Sequence, residues 1–201
     1  FMGNHLRHKY YINKISKFFN FDFIICQGRE KSILEVPEGL DEIDRKNWIK
    51  HFNERDKTQK EYFKEYEIPD TDILYVEDQN DMHSQKTIKF IKNHKFDYKN
   101  DIVLVFGTGI IRETITKHLP YKTINMHLGL SPRYRGAATL FWPFYFLEPQ
   151  YCGITFHYLL DEPDAGDVIH QTLADLKLND QIFDVAWKLI IKATKEIIDL
   201  L

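Results

Sequence analysis

Short apolar runs alternate with helix-spaced apolar positions along most of the chain. The runs are rich in β-branched and aromatic residues and are bounded by turn residues, which is typical of buried strands. The clearest one reads Ile-Val-Leu-Val-Phe at residues 102–106 and ends at Gly-Thr-Gly. Strands are predicted at residues 21–26, 73–76, 102–106, 123–128, 152–158 and 168–173.

Apolar side chains between these runs recur at the three- and four-residue spacing of an amphipathic helix. Residues 41–66 are strongly charged, which favours a solvated surface helix that allows a break near Asp56; a helix that contacts a partner is the alternative. A last helix is predicted from a cap at Asn179 or Asp180 to the end of the chain. The other helices are predicted at residues 8–19, 84–94, 110–118 and 137–146.

The alternation of strands and helices predicts the fold class. We expect an α/β domain with a Rossmann-like, mostly parallel twisted sheet and helices on both faces. The runs at 152–158 and 168–173 flank a polar loop and predict an antiparallel edge. The 201 residues suit a single domain, residues 1–201. Because the apolar pair Phe1-Met2 comes directly before a Gly-Asn turn, we expect the first strand to begin before Phe1.

Composition narrows the class of protein. Hydrophobic residues make up 43% and charged residues 28% of the chain, which is ordinary globular usage. The net charge of −3 argues against a dedicated nucleic-acid binder, although it leaves a local basic patch open. Cys26 and Cys152 lie in apolar runs and are interpreted as buried thiols, with a disulfide as the alternative. Without a signal peptide or a membrane-length apolar run, we expect a soluble cytoplasmic protein with no membrane partner.

Candidate chemistry lies where the predicted strands end, because ligands of open α/β sheets bind beyond the carboxyl ends of the strands. One segment is the turn at 106–109, and a second is Asn125-Met126-His127 with the residues that follow it. The third is the acidic loop at 161–167. Asn125 and His127 are two residues apart on a strand, so both side chains point to one face.

Each segment alone has a plain structural explanation. Gly-Thr-Gly lacks the third glycine of a dinucleotide fingerprint and suits a tight strand exit. A lone strand histidine is more often structural than catalytic. Asp161, Asp164 and Asp167 could form a solvated turn, or hold a metal together with His170, but no helical HxxxH or paired cysteines support a metal site. We therefore predict no metal.

In combination, the segments resemble the folate-dependent formyltransferases, a family that includes methionyl-tRNA formyltransferase, glycinamide ribonucleotide transformylase and the sugar N-formyltransferases. Family members carry Asn-x-His on a strand, a short apolar stretch to Pro, an Arg-Gly-Ala segment and, further on, Asp-(Ala/Thr/Gly)-Gly. The matching stretches here are INMHLGLSPRYRGAATLFWP and YCGITFHYLLDEPDAGDVIHQ. The resemblance is specific over residues 102–171, with one departure at Ser131, where many relatives have Leu.

The resemblance implies that Asn125, His127 and Asp164 are the catalytic residues of a folate-dependent N-formyltransferase. Attack of an amine on a formyl carbon creates an oxyanion and an ammonium. The Asn125 amide and a protonated His127 can donate to the oxyanion, and His127 can also move the proton near neutral pH. A carboxylate at Asp164 would orient the imidazole and favour its charged form.

The formyl donor that the resemblance implies is 10-formyltetrahydrofolate. In relatives, backbone groups of the strand-exit turn hold the pterin, and the stretch after Asn-x-His lies next to the folate. The close approach of backbone to ligand suits the glycines in both segments. The expected cofactor-binding residues are Thr108, Gly109, Ile110, Ile111, Gly129, Leu130, Ser131 and Pro132.

The sequence determines the identity of the amine acceptor less well than it determines the reaction. A glycinamide ribonucleotide enzyme would show a Gly-rich phosphate loop after the first strand, where this chain has Gly3-Asn4-His5, although nearby basic residues leave that reading open. Methionyl-tRNA formyltransferase carries a further C-terminal domain, which we do not expect after Leu201. A small-molecule amine on a nucleotide-linked sugar is therefore the first expectation. The aromatic residues at 141–146 either wall that acceptor or pack in the core.

Three other outcomes stay open. The same residues could transfer the formyl group to water, which would make the protein a formyl-folate hydrolase. A domain that binds folate or a nucleotide without turnover is a further alternative, which the intact set of three catalytic residue types disfavours. A nucleic-acid partner is not expected, and a homodimer is left open.

Overall fold

The computed structural model describes residues 1–28 and 35–201, and strands and helices alternate along it. The first three strands form a parallel set in the order β1-β2-β3, and the other four follow in the order β4-β5-β6-β7. The strands are β1 Met2–Gly3, β2 Phe23–Gln27, β3 Asp72–Val76, β4 Val103–Val105, β5 Thr123–His127, β6 Gly153–Tyr158 and β7 Val168–Leu173.

A single bridge joins the two sets of strands. Met2 pairs with Phe106 in parallel orientation, and the Gly3 N–H donates to the Phe106 carbonyl at 3.0 Å. The seven described strands therefore run β3-β2-β1-β4-β5-β6-β7. Strands β4 and β5 are parallel, whereas β6 and β7 are antiparallel to their neighbours. This confirms the predicted parallel sheet with an antiparallel edge.

Helices cover both faces of this sheet, as predicted. One apolar cluster joins α1 and α7 to the sheet through Tyr11, Trp187 and Ile190, and a second packs Ile91 of α4 and Ile115 of α5 against the other face. Each such side chain, when fully buried, contributes about 1.5–3 kcal/mol to folding. The helices are α1 Leu6–Ile15, α2 Glu42–Tyr62, α3 Gln79–Met82, α4 Gln85–Asn93, α5 Glu113–Thr116, α6 Trp142–Tyr145 and α7 Ile182–Leu200.

Several helices differ from the prediction. The helix predicted at 110–118 covers only Glu113–Thr116, and the one predicted at 8–19 ends at Ile15. Helix α2 is continuous, and Asp56 lies within it as the i,i+4 partner of Lys60. The predicted helix at 137–146 shrinks to the single turn of α6, because the backbone at Gly136 and Ala138 has positive φ and interrupts any helix there. Helix α7 is capped by Gln181, since Asp180 binds Lys188 instead.

Both cysteines are free, buried thiols, which confirms their interpretation as apolar core residues. Burial raises the pKa of the Cys152 thiol to about 12. None of the helices in the described ranges 1–28 and 35–201 has the length and hydropathy that a membrane span requires.

Candidate active site

The three chemistry-bearing segments meet at the carboxyl edge of the sheet. Strands β4 and β5 are parallel neighbours with Val105 opposite Asn125, so the turn after β4 lies beside the end of β5. Asn125 and His127 lie on one face of β5, and the loop between β6 and β7 brings Asp164 to that face. The Asp164 Oδ1 atom is 3.2 Å from His127 Nδ1. The structure therefore brings together all three residues that the sequence singled out.

The His127 ring is held in one orientation. Its side chain is almost fully buried, and Nε2 lies 2.8 Å from the backbone carbonyl of Tyr134. A carbonyl can only accept, so Nε2 carries a proton and donates it to that oxygen. The Tyr134 hydroxyl in turn donates to Glu148 Oε2 at 2.6 Å, which fixes the segment that supplies the carbonyl. Any proton that His127 gains or loses is therefore exchanged at Nδ1, the nitrogen that faces Asp164.

A second histidine, which the sequence analysis did not single out, completes the cluster. His157 is 1% exposed and stands opposite Asn125 in the antiparallel pairing of β5 and β6. Its Nδ1 lies 2.9 Å from the Tyr158 carbonyl and therefore donates, which leaves Nε2 as an acceptor for Asn125 Nδ2 at 3.1 Å. The signal that would have found His157 is the cross-strand register, because adjacent antiparallel strands place paired residues on one face.

Asp164 occupies a special backbone position. Its φ of 54° lies in the left-handed region, which aspartate tolerates better than most residues. The Gly136 N–H donates to Asp164 Oδ2 at 2.9 Å, and Oδ1 also lies 3.5 Å from His157 Nε2. The carboxylate thus ties the loop after β6 to the segment after β5 and to both imidazoles.

The pKa values of this pair follow from burial and from these contacts. Burial is the largest influence on His127 and lowers its pKa, although the bond to Tyr134 and the Asp164 carboxylate act in the opposite direction. Burial also acts most strongly on Asp164, where it raises the pKa, but contacts with His157, Gly136 and His127 together outweigh it and leave the pKa below its usual range. The balance at His127 differs from the expectation of a charged imidazole, because burial outweighs the carboxylate. At neutral pH the pair is a neutral imidazole beside an anionic carboxylate.

The metal alternative finds no support in the geometry. His170 lies 2.8 Å from Glu196, on the side of helix α7, and Asp161 accepts from Thr116 at 3.0 Å. Within residues 1–28 and 35–201, no three His, Cys, Asp or Glu side chains are arranged to hold a metal ion.

The segment after His127 packs against β6 and β7, and its backbone is largely engaged within the protein. Thr155 Oγ1 donates to the Gly129 carbonyl at 2.7 Å, and the Tyr134 N–H donates to the Leu130 carbonyl at 2.9 Å. The Ser131 carbonyl accepts from Gln171 Nε2 at 2.7 Å. A side chain on Gly129 would overlap His127 Nε2 and the Tyr134 carbonyl. The structure thus places residues 129–131 beside the catalytic candidates and gives Gly129 a second role, since only glycine leaves room for the His127–Tyr134 bond.

The turn after β4 presents backbone groups that have no partner among the described residues. Gly107 takes a φ of 74°, and the Gly109 N–H donates to Gln27 Oε1 at 2.7 Å. In the part of the chain that the structure describes, the N–H groups of Ile110 and Ile111 meet no protein acceptor. Such groups can bind a polar ligand edge.

The aromatic segment at 141–146 is divided between core and surface. Trp142, Tyr145 and Phe146 are 38%, 64% and 57% exposed, and Trp142 Nε1 donates to the Ala137 carbonyl at 3.0 Å. Exposed Arg135 precedes this segment in the chain, and its charge lowers the pKa of His127. Large exposed aromatic side chains are suited to an acceptor that carries a base or a sugar.

Comparisons with known proteins match this arrangement. A family model described as "Formyl transferase" matches residues 45–199. A methionyl-tRNA formyltransferase of Fusobacterium nucleatum is 34% identical over 101 residues, which cover 46% of this chain and 32% of that protein. The one from Azobacteroides pseudotrichonymphae is 28% identical over 116 residues, 54% of this chain and 35% of that protein. The chain thus spans about a third of the length of these relatives.

Solved structures resemble the whole fold at lower sequence identity. A phosphoribosylglycinamide formyltransferase from Streptococcus pneumoniae TIGR4 superposes with a TM-score of 0.61 at 16% identity, over 98% of this chain and 91% of that one. The one from Campylobacter jejuni gives a TM-score of 0.54 at 20% identity, over 100% and 91% of the two chains. These likenesses support the Rossmann-like arrangement of strands and helices.

Proposed function

The chain belongs to the formyl transferase family, and from that premise we propose that it transfers a formyl group from 10-formyltetrahydrofolate to a primary amine. The observation that carries the proposal is the convergence of Asn125, His127 and Asp164, with 3.2 Å between His127 Nδ1 and Asp164 Oδ1. An amide donor, an imidazole and a carboxylate at the carboxyl edge of a sheet match the needs of formyl transfer, which are an oxyanion donor and a proton carrier.

The residues near this cluster suit a folate. When bound, 10-formyltetrahydrofolate would supply the formyl carbon and a leaving nitrogen. The turn at 108–111 offers backbone N–H groups that meet no acceptor among the described residues and lie beside the end of β5, which supports pterin binding there. Gly129, Leu130, Ser131 and Pro132 would line the site next to His127, with Pro132 as the exposed member of that stretch.

Each of the three catalytic candidates would have a different role in the reaction. One N–H of Asn125 Nδ2 is taken by His157, so the other is aimed by that contact and donates to the developing oxyanion. His127 is neutral before reaction and accepts the proton of the attacking amine at Nδ1. Asp164 stabilises the imidazolium that forms, and the same proton then passes from Nδ1 to the leaving nitrogen. Because these interactions strengthen as charge develops, they act on turnover more than on binding.

For the acceptor we propose a primary amine on a nucleotide-linked sugar. Arg135 and the exposed aromatic side chains of Trp142 and Tyr145 would meet a phosphate and a base or sugar. Methionyl-tRNA is the second candidate, since relatives of 28% and 34% identity are methionyl-tRNA formyltransferases. Glycinamide ribonucleotide is the third, on the likeness of fold alone.

A panel assay tests these proposals. The protein is incubated with 10-formyltetrahydrofolate and each acceptor in turn, and release of tetrahydrofolate and formylation of the acceptor are both measured. The panel contains nucleotide-linked 3-amino and 4-amino sugars, methionyl-tRNA, glycinamide ribonucleotide and a sample without acceptor, each with and without a strong chelator. Selective turnover of another acceptor would refute the sugar proposal and keep the transferase. Release without acceptor would indicate a hydrolase, and saturable folate binding without release would indicate a binding module.

A further inference from the structure

A chain of side-chain hydrogen bonds lies behind the turn at 107–111. It begins at Gln27, the last residue of β2, which is 2% exposed and accepts the Gly109 N–H. The Gln27 Nε2 atom is 3.4 Å from Oε1 of Gln79, the first residue of α3. Gln79 Nε2 then donates to the Ile110 carbonyl. Two amides from different elements thus hold two successive residues of the turn.

His83 extends the chain to the helix that follows the turn. Its Nε2 lies 2.9 Å from Gln79 Nε2, and its Nδ1 lies 2.8 Å from Thr114 Oγ1 on α5. His83 Nε2 also lies 3.0 Å from the Ile110 carbonyl, so this ring contacts both the Gln79 amide and the carbonyl that Gln79 holds. With Nε2 protonated the ring donates to that carbonyl, and with Nδ1 protonated it accepts from Gln79 Nε2; in both tautomers the Nδ1 atom bonds the Thr114 hydroxyl, which can donate or accept. The chain starts at Gly109 and ends at Thr114, and it therefore braces the whole segment that leaves β4.

The side chains of Gln27, Gln79 and His83, here called the brace, determine which polar groups of the turn face away from them. A trans peptide is planar and holds its C=O and N–H in opposite directions. Because the Ile110 carbonyl points at Gln79, the Ile111 N–H points away from α3. Because the Gly109 N–H points at Gln27, the Thr108 carbonyl points away from β2. Neither the Thr108 carbonyl nor the Ile111 N–H has a protein partner in the described ranges.

We propose that Gln27, Gln79 and His83 are positioning residues that fix these two peptide planes and so create the acceptor–donor pair at Thr108 and Ile111 that binds the pterin edge of the folate. The inference rests on the proposed function, because it assigns the ligand of the turn. The amino and ring N–H groups of a pterin, beside its carbonyl, are complementary to a backbone C=O and N–H.

The absence of a side chain at Gly109 is also needed for this arrangement of hydrogen bonds. A side chain there would overlap Gln79 Oε1, so Gly109→Ala displaces the Gln79 amide without removing any of its polar atoms. This gives a second route to the same defect. Asn80 follows Gln79 on α3, is exposed and makes no side-chain hydrogen bond in the described structure, so Asn80→Ala is the matched control.

The test compares the wild-type chain with Gln79→Ala, Gly109→Ala and Asn80→Ala. Calorimetry with 5-formyltetrahydrofolate measures binding, and steady-state kinetics measure the KM for 10-formyltetrahydrofolate separately from kcat. Loss of one hydrogen bond and a freed peptide plane should raise Kd and KM about tenfold in Gln79→Ala and Gly109→Ala. The kcat should stay within about twofold, because Asn125 and His127 are not part of the brace, and Asn80→Ala should match the wild type.

Amide hydrogen exchange at Gly109 adds a readout that needs no ligand. Exchange of this amide should accelerate in Gln27→Leu, which removes its acceptor, relative to other amides of β4 in the same sample. Two results would overturn the inference and leave the proposed function standing. One is that Gln79→Ala and Gly109→Ala bind 5-formyltetrahydrofolate as tightly as the wild type does, and the other is that kcat falls in these variants while KM is unchanged. Absence of binding to the wild type would overturn the proposed function together with it.

Discussion

The two neighbours of His127 should move its titration in opposite directions. The Asp164 carboxylate raises the pKa of His127, whereas His157 lowers it. Replacement of Asp164 by Asn should therefore lower the pKa of His127 further, and replacement of His157 by Leu should raise it. If neutral His127 is the base, the acid limb of the kcat/KM profile follows these shifts, because that profile reports the free enzyme.

The size of the accompanying rate effects follows from what each variant removes. Asp164→Asn takes away the carboxylate that contacts Nδ1 of His127, the nitrogen that exchanges the proton, and should cost about a hundredfold or more in kcat. His157→Leu keeps the base but removes the acceptor that orients the Asn125 amide. Loss of one oxyanion donor costs about 10²–10³ in kcat, and a misaligned donor should cost a fraction of that, about tenfold.

The assay is tetrahydrofolate release over a range of pH, with the acceptor that the panel identifies. His157→Gln is the matched variant, because its side-chain carbonyl can still accept from Asn125 and should restore most of the kcat lost in His157→Leu. Acid limbs that coincide in the wild type, Asp164→Asn and His157→Leu would show that His127 does not titrate as the base. Equal kcat values for the Leu and Gln variants would refute the orienting role of His157.

Further predictions concern the same pocket. His127→Ala should lower kcat by about a hundred- to ten-thousandfold with folate affinity within a few fold, as measured by single-turnover kinetics and calorimetry; near-normal turnover would refute the assignment of the base. Gly129→Ala should lower kcat because the new methyl group displaces the His127 ring from the Tyr134 carbonyl, and the denaturant midpoint of this variant, measured beside kcat, separates a loss of folding from a loss of turnover. The free energy of unfolding should fall as the pH drops below about 6.5, because the lowered pKa of His127 means that the unfolded chain binds the proton more tightly than the folded chain does. Above that pH the neutral imidazole makes its full contribution to stability. Denaturant titrations should show that the stability of His127→Gln depends less steeply on pH.

The sequence predicted the features that follow from the local spacing of side chains. The strand at 102–106 and the Asn-x-His spacing follow from side-chain alternation, and both were predictable. His157 was not, because its place beside Asn125 depends on the register between β5 and β6, which no local pattern encodes. The shortened helix α6 was missed for a related reason, since positive φ at Ala138 is imposed by the surrounding loop and not by alanine itself.

The neutral state of His127 was also beyond the sequence. The sequence shows a carboxylate two residues before a glycine, at Asp164. It does not show how deeply His127 is buried, and burial decides the sign of the pKa shift at this imidazole. The acceptor stays a proposal for the same reason, because exposed aromatic side chains and core aromatic side chains look alike in a sequence.

The left-handed backbone at Asp164 limits which residues this position can hold. Asp, Asn and Gly enter that region most readily, and of these three only Asp carries a charge. A single-nucleotide change from Asp to Asn or Gly would therefore fit the backbone conformation of this loop and leave the fold intact while it removes the carboxylate. Among natural variants, inactive copies that still accumulate as folded protein should therefore be enriched in changes at this residue, and a test of abundance alone would score them as normal.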